Sequence, residues 1–260
     1  MTRDHELLPG VHHIELSMDV CATLLVGRER ALLLDTGFGI DDVRAAVSAI
    51  TPLPVELILT HGHFDHALGA RQFARCAMFA DDMPDFLEYT RPEARSWVLD
   101  CARAAGVQPE IDAEAFLRGD FAPPEPLREG TIELGGLTAR LYQIPGHTPG
   151  SAVAYVPEHR LLLTGDDWNE CTWLFFERAL PVKAYRESFR RMLELPFERA
   201  ICPHRTGVFD RSVLERFYGA LTDAALEAAP EVRIPPYERI HTCELTVDAR
   251  QRLVFDRDKL

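Results

Sequence analysis

The stretch Thr60-His61-Gly62-His63-Phe64-Asp65-His66 decides how the rest of the chain is read. Four side chains able to bind a metal fall within six residues, directly after the apolar run Val55 to Leu59. That run has the length and composition of a strand, and Gly62 interrupts any continuing period. His61 and His63, two residues apart, can face one metal ion at a strand end. Asp65 and His66 continue into the following turn, within reach of a second ion about 3.5–4 Å away, the separation of two-metal hydrolytic sites. The competing reading is a histidine-rich surface loop. A lone His-x-His pair favours that reading, whereas Asp65 and His66 in register weigh against it.

Four further segments extend the pattern. Asp35-Thr36-Gly37 follows the apolar run Ala31 to Leu34, and Thr164-Gly165-Asp166 follows Leu161 to Leu163. Between them stands Pro145-Gly146-His147-Thr148-Pro149-Gly150-Ser151, and Pro203-His204 closes the set. With the H-x-H-x-D-H stretch, and in this order, these segments resemble the metallo-β-lactamase-fold superfamily over roughly residues 10 to 210. The resemblance is specific for a fold and not for a substrate, because function belongs to the site and not to the scaffold.

What the resemblance implies can be stated residue by residue. The fold is α/β, a four-layer αβ/βα sandwich in one domain, residues 1–260, with a helical insertion after the metal motif at 81–122. Such an insertion either overhangs the metal cleft as a cap or simply covers a sheet edge. His61, His63 and His147 hold a first ion; Asp65, His66 and His204 hold a second; Asp166 bridges both. The cofactors are then two divalent metal ions, zinc by expectation, with iron or manganese as alternatives. Zinc takes imidazole nitrogen and carboxylate oxygen and leaves a position open for water in catalytic sites. Water between two divalent ions is hydroxide near neutrality and attacks an electrophilic carbon or phosphorus. Asp65 is placed by resemblance to shuttle the proton to the leaving group. Asp35 matches a residue that orients the metal loop; its other reading is an N-cap for a helix from Asp41 to Ile50, for which Asp41 is the better cap.

Two departures narrow the subfamily. β-Lactamases of the common type carry cysteine where Asp166 stands, so a true β-lactamase is disfavoured. Flavo-diiron proteins replace the second histidine of the motif with glutamate, whereas this chain keeps His63. The C-terminal helical region of glyoxalase II is not recognisable. Asn169, three residues after Asp166, stands where acyl-homoserine lactonases place a tyrosine that helps hold the substrate carbonyl, and its amide can donate a hydrogen bond there. Specificity is expected in the stretch from Asp167 to Phe176, where Trp168 and Trp173 fit an apolar substrate pocket. A core-packed loop is the alternative. Cys171 and Cys202 read as small buried apolar residues.

Composition agrees with one compact enzyme domain. The chain has 260 residues, 47% of them hydrophobic, and its mean hydropathy is near zero. No apolar run approaches the length needed to cross a membrane, and Met1 to Glu6 contains no apolar leader. Six cysteines without C-x-x-C pairs suit reduced thiols and a cytoplasmic location. The net charge of −13 opposes binding to a phosphate backbone. The expected partner is a small-molecule substrate, with neither nucleic acid nor membrane.

In chain order, Val11 to Leu16, Cys21 to Val26 and Arg30 to Leu34 read as strands. His12 and His13 lie in the first of these, with no spacing that recommends them as ligands. A helix is expected from Ala67 to Ala74, a short strand from Cys76 to Ala80, and a helix from Glu93 to Ala105 with Trp97, Val98 and Cys101 on one face. Thr131 to Leu134 and Leu137 to Ile144 form a hairpin around Gly135-Gly136. Val182 to Leu195 and Asp210 to Ala228 read as amphipathic helices. The alternating run Ile240 to Val247 is an added edge strand or a homodimer contact. The chain is therefore expected to be a dinuclear metal-dependent hydrolase of an ester, lactone or thioester. A phosphodiesterase of the same fold, or a mononuclear-iron sulfur dioxygenase, is the alternative.

Overall fold

The computed structural model describes residues 2–260. Its first sheet is built from β1 (Arg3–Leu8), β2 (Val11–Glu15), β3 (Cys21–Val26), β4 (Ala31–Leu34), β5 (Val55–Ile58), β6 (Ala77–Met78) and β7 (Glu125–Pro126), side by side in that order. The first four strands pair antiparallel; from β4 onward the pairing is parallel. The second sheet uses β8 (Gly130–Glu133), β9 (Thr138–Gln143), β10 (Ala152–Val156) and β11 (Leu161–Leu163). After β12 (Cys171–Leu174) has left for a third sheet, β13 (Arg199–Ile201) and β14 (Phe209–Asp210) complete the second beyond β11.

Alternation along the strands creates the layers. Leu25, Leu32, Leu34 and Ile58 of the first sheet pack against Leu141, Ala154, Val156, Leu161 and Leu163 of the second. The residues between them turn outward: Leu24, Leu33 and Leu57 pack with Val43 and Val47 of α1 (Val43–Ile50). Strands covered on both faces read as continuous apolar runs, which is why β3 and β4 show no polar alternation. The outer face of the second sheet carries Val153 and Leu162, buried with Tyr185, Phe189, Leu214 and Phe217 from two later helices. Helix, sheet, sheet, helix is the expected four-layer αβ/βα sandwich.

Several local expectations shift. Asp42, not Asp41, caps α1, its Oδ1 accepting the Ala45 N–H at 2.9 Å. Asp41 is buried instead and accepts the hydroxyl of Ser17 at 2.7 Å. The helix after the metal motif is brief, α2 (Phe64–Ala67) followed by a 3₁₀ turn over Leu68–Gln72. The His66 carbonyl accepts both the backbone N–H and the hydroxyl of Thr36, each at 2.8 Å, and so cannot continue the α-helical ladder. Region 81–122 holds α3 (Met83–Tyr89), α4 (Pro92–Ala104) and α5 (Ala113–Arg118). In α4, Val98 is buried, whereas Trp97 is 39% exposed and Cys101 half-buried, so the three do not share one environment.

Beyond β12, α6 (Val182–Leu193) covers the second sheet as expected. The single helix expected over residues 210–228 is two, α7 (Arg211–Ala220) and α8 (Asp223–Glu227), because Thr222 starts a new one by accepting the Ala225 N–H at 3.2 Å. The tail adds to neither main sheet. β15 (Thr242–Thr246) pairs antiparallel with β16 (Arg252–Asp256), which pairs parallel with β12, and this third sheet packs Phe255 and Val254 into the outer cluster of the second half. No helix among the described residues is long and apolar enough to cross a membrane.

Candidate metal centre

Strand direction brings the motifs together. β4 and β5 run parallel, so Asp35 and the His61 to His66 stretch leave the first sheet at the same edge. In the second sheet β9, β11 and β13 run one way, and His147, Asp166 and His204 follow their ends. The seven side chains singled out in the sequence meet there in two groups. Ligand atoms of His61, His63 and His147 lie within 4.8 Å of one another, as do those of Asp65, His66, Asp166 and His204. Asp166 stands between the groups, its Oδ2 3.7 Å from His147 Nε2 and 3.2 Å from His204 Nε2, its Oδ1 3.6 Å from His66 Nε2.

The far nitrogen of each of four rings is committed, which fixes the ring and aims the other nitrogen inward. His147 Nδ1 donates to the Trp173 carbonyl at 2.6 Å, His66 Nδ1 to Asp35 Oδ2 at 2.8 Å, and His204 Nδ1 to the Asp19 carbonyl at 3.1 Å. His61 Nδ1 lies 3.1 Å from the Thr60 hydroxyl. With its proton on Nδ1, His147 presents a lone pair at Nε2, 3.0 Å from His63 Nδ1. Among the described residues, His61 Nε2, His66 Nε2 and Asp166 Oδ1 are buried without a hydrogen-bond partner. An unsatisfied buried polar atom costs about 1–3 kcal/mol. Inward-facing imidazole lone pairs and carboxylate oxygens that lack protein donors form a set that fits divalent cations.

Electrostatics divides the two groups. Burial, reinforced by neighbouring imidazoles, holds His61 and His63 well below the usual histidine range. Burial also lowers His147, against the pull of Asp166. Neutral imidazole is the form that binds metal. For His66 and His204 burial is outweighed by carboxylates: Asp65, Asp166 and Asp35 raise His66 well above its usual range, and Asp166 raises His204 to about 9. Burial alone would raise Asp166, but His204 and His66 hold it well below the carboxylate range. The second group thus demands positive charge, which bound cations satisfy.

Supporting residues include several that the sequence did not reveal. Asp82 joins the two histidine loops, accepting the Thr148 hydroxyl at 2.6 Å, Gly150 N–H at 2.5 Å and Gly62 N–H at 3.1 Å. Burial pushes its carboxyl up to about 6. Gly62 is required by close approach: a Cβ there would lie 2.7 Å from Phe86 N and 2.8 Å from the Asp82 carbonyl. Asp167, raised well above the usual range by burial, accepts the His147 N–H at 3.3 Å. Nothing marks Asp82 in sequence, where it is one of two adjacent aspartates before a helix.

A cavity of about 560 Å³ opens over the centre, with His63, Asp65, His147, Asp166 and His204 in its lining. Its walls include Phe64, Trp97, Trp173, Phe176 and Tyr237. Asn169 lines it too, and its Oδ1 accepts the Cys171 N–H at 2.8 Å. Trp168 departs from expectation: it is fully buried, donates to Gln251 Oε1 at 3.1 Å and packs on Phe209 away from the cavity. Phe175 is likewise core, while Phe176 reaches the cavity. Cys202 is buried as expected, but Cys171 is half-buried and lines the cavity. Neither His12 nor His13 joins the ligand groups: His12 pairs with Asp4 at 2.9 Å, and His13 lies behind the His204 loop, bonded to Thr23 at 3.0 Å and to the Arg205 carbonyl at 3.1 Å.

The chain belongs to the metallo-β-lactamase superfamily, whose sequence profile matches residues 19–204. It is 29% identical over 208 residues to the acyl-coenzyme A thioesterase MBLAC2 of Gallus gallus, covering 75% of this chain and 74% of that protein. To the Homo sapiens protein of the same name it is 26% identical over 188 residues, 66% of each. Among solved structures it resembles TTHA1623 in a di-iron-bound form, with a TM-score of 0.56, 26% identity, and coverage of 78% of this chain and 96% of that one. On this membership and these relatives the chain is a hydrolase.

Proposed function

We propose that the chain hydrolyses small-molecule thioesters carrying an apolar acyl group, at a centre holding two divalent cations. The observation that carries this reading is the cavity itself, whose base is the His/Asp cluster and whose walls are aromatic. Bound there, the cations would supply Lewis acidity and acidify water. Zinc suits the imidazole and carboxylate donors, and the similar di-iron-bound structure supports iron equally. The relatives named as acyl-coenzyme A thioesterases favour the thioester over the ester and lactone.

The protein's own groups have distinct tasks. His61, His63 and His147 would hold one ion and Asp65, His66 and His204 the other, with Asp166, which stands between the two groups, available to both. Asp65, whose carboxylate is 3.6 Å from His66 and 3.8 Å from His204, also lines the cavity and carries a proton to the departing group. Asn169 steadies the carbonyl through its NH₂. Trp97 of α4 extends the apolar wall, so the insertion at 81–122 contributes to substrate binding. The six cysteines are free, which supports a reducing compartment such as the cytoplasm.

The test is a kcat/KM series on thioesters from acetyl to dodecanoyl, beside a matched lactone and a phosphodiester. Each added methylene buried is worth about 0.8 kcal/mol, roughly fourfold, until the cavity is filled. Faster turnover of the phosphodiester, or a flat dependence on acyl length, contradicts the proposal.

A further inference from the structure

The C-terminal segment enters the cavity although it lies outside both main sheets. Tyr237 lines the cavity with His63, Asp65, His147 and Asp166. Its ring packs on Phe176 at 5.4 Å and on Phe175 at 5.5 Å. Phe176 in turn packs edge-on against His63 at 4.7 Å and against His147 at 5.7 Å. Tyr237 is thus one ring removed from two imidazoles of the metal centre.

The backbone around it is held. Tyr237 N–H donates to the Ile234 carbonyl at 2.6 Å, and Ile240 N–H returns to the Tyr237 carbonyl at 3.0 Å. Val232 N–H donates to the Thr242 carbonyl at 3.0 Å, closing the loop onto β15. The phenol oxygen, by contrast, has no hydrogen-bond partner among the described residues. The ring is half-buried and the oxygen is not among the buried unpartnered atoms, so this donor is free to meet a molecule in the cavity. Burial, followed by the nearby Asp65 carboxylate, raises its ionisation above the ordinary range, so it remains a donor at working pH.

We propose that the Tyr237 hydroxyl donates a hydrogen bond to the acyl carbonyl oxygen of the substrate, making the C-terminal segment part of the active site. An uncommitted donor lining the same largely apolar cavity as the His/Asp cluster suits an oxygen that gains negative charge as the carbonyl is attacked. No bond to Tyr237 forms or breaks, and its proton stays on the phenol. This inference rests on the thioesterase reading above.

The experiment compares wild type with Tyr237→Phe, which keeps the ring and removes only the hydroxyl. Substrates are the S-butanoyl and S-decanoyl thioesters of N-acetylcysteamine, assayed with metal content matched. The expected result is a kcat lower by about 10–100-fold on both, with KM nearly unchanged, since one lost donor of this kind costs up to about 10²–10³. A decyl trifluoromethyl ketone, whose hydrate mimics the tetrahedral state, should bind the variant more weakly by calorimetry. The corresponding alkyl thioether, which has no carbonyl, should bind both proteins alike. An unchanged kcat, a change confined to KM, or equal loss of both probes overturns the role. Absence of thioester turnover by the metal-loaded wild type overturns the thioesterase reading and this inference with it.

Discussion

The carboxylate of Asp35 accepts the Nδ1–H of His66 at 2.8 Å and fixes which nitrogen of that ring faces the metal centre. Asp35 also accepts the Thr60 N–H and the Thr60 hydroxyl, each at 2.7 Å, so one side chain ties β4 to the start of the metal loop. Its backbone is left-handed, φ 63°, a conformation unfavourable outside glycine and tolerated best by Asp and Asn. Three buried hydrogen bonds offset that strain.

Asp35→Asn tests this relationship. The amide retains one acceptor but turns an NH₂ group toward His66 or Thr60. Metal affinity should fall by about 10–100-fold, the usual consequence of losing a partner behind a ligating histidine. Competition against a graded chelator measures it. Unchanged affinity would show that His66 does not depend on Asp35 for its orientation.

The two tryptophans after Asp166 should separate cleanly. Trp173→Ala is expected to reduce the preference for long acyl groups while sparing acetyl thioester, because only the wall is lost. Trp168→Phe should lower the melting temperature and leave the acyl-length profile unchanged, since Trp168 is buried away from the cavity. The kcat/KM series on both variants, with thermal melts, decides. Parallel loss at every acyl length for Trp173→Ala would assign it to the fold.

His13 gives the protein a built-in acid sensitivity. Burial lowers its pKa from 6.5 to about 4, and both ring nitrogens are engaged, with the Thr23 hydroxyl at 3.0 Å and the Arg205 carbonyl at 3.1 Å. The unfolded chain therefore takes up the proton first. Stability is full above the unfolded pKa and falls as pH drops from 6.5 toward 4, by about 3 kcal/mol in all. Denaturant unfolding at pH 7 and pH 4.5 should show a drop for wild type that is about 2–3 kcal/mol larger than for His13→Gln. Parallel pH profiles would mean that His13 is protonated in the fold.

What was legible in the sequence follows from the range of the interactions. The spacing from His61 to His66 is local and legible by itself, whereas His147, Asp166 and His204 are singled out as ligands by the resemblance to the metallo-β-lactamase-fold superfamily, each following an apolar run. The layers follow from the resemblance and from two strand-rich halves with helices between and after their strands. Trp168 and Trp173 were not separable, since their environments depend on β12 pairing with β16, some 80 residues later, Cys171 opposite Arg252. Asp82 and Tyr237 gave no sign for the same reason: their partners are loops distant in sequence. The choice of Asp42 over Asp41 as a cap turned on whether Ser17 offered Asp41 an alternative, which it does.

The central claim is that the seven side chains hold two cations on which hydrolysis depends, with Asp166 shared between them. The direct measurement is to strip the chain with chelator, titrate it with zinc, and follow bound metal and thioester hydrolysis together in wild type and Asp166→Asn. Wild type should bind two ions per chain and regain hydrolysis as the second site fills. Asp166→Asn should lose hydrolysis by orders of magnitude and bind the pair more weakly, because a neutral amide bridges cations poorly. Saturation at one ion, hydrolysis by the stripped protein, or an Asp166→Asn variant with wild-type turnover would contradict the account.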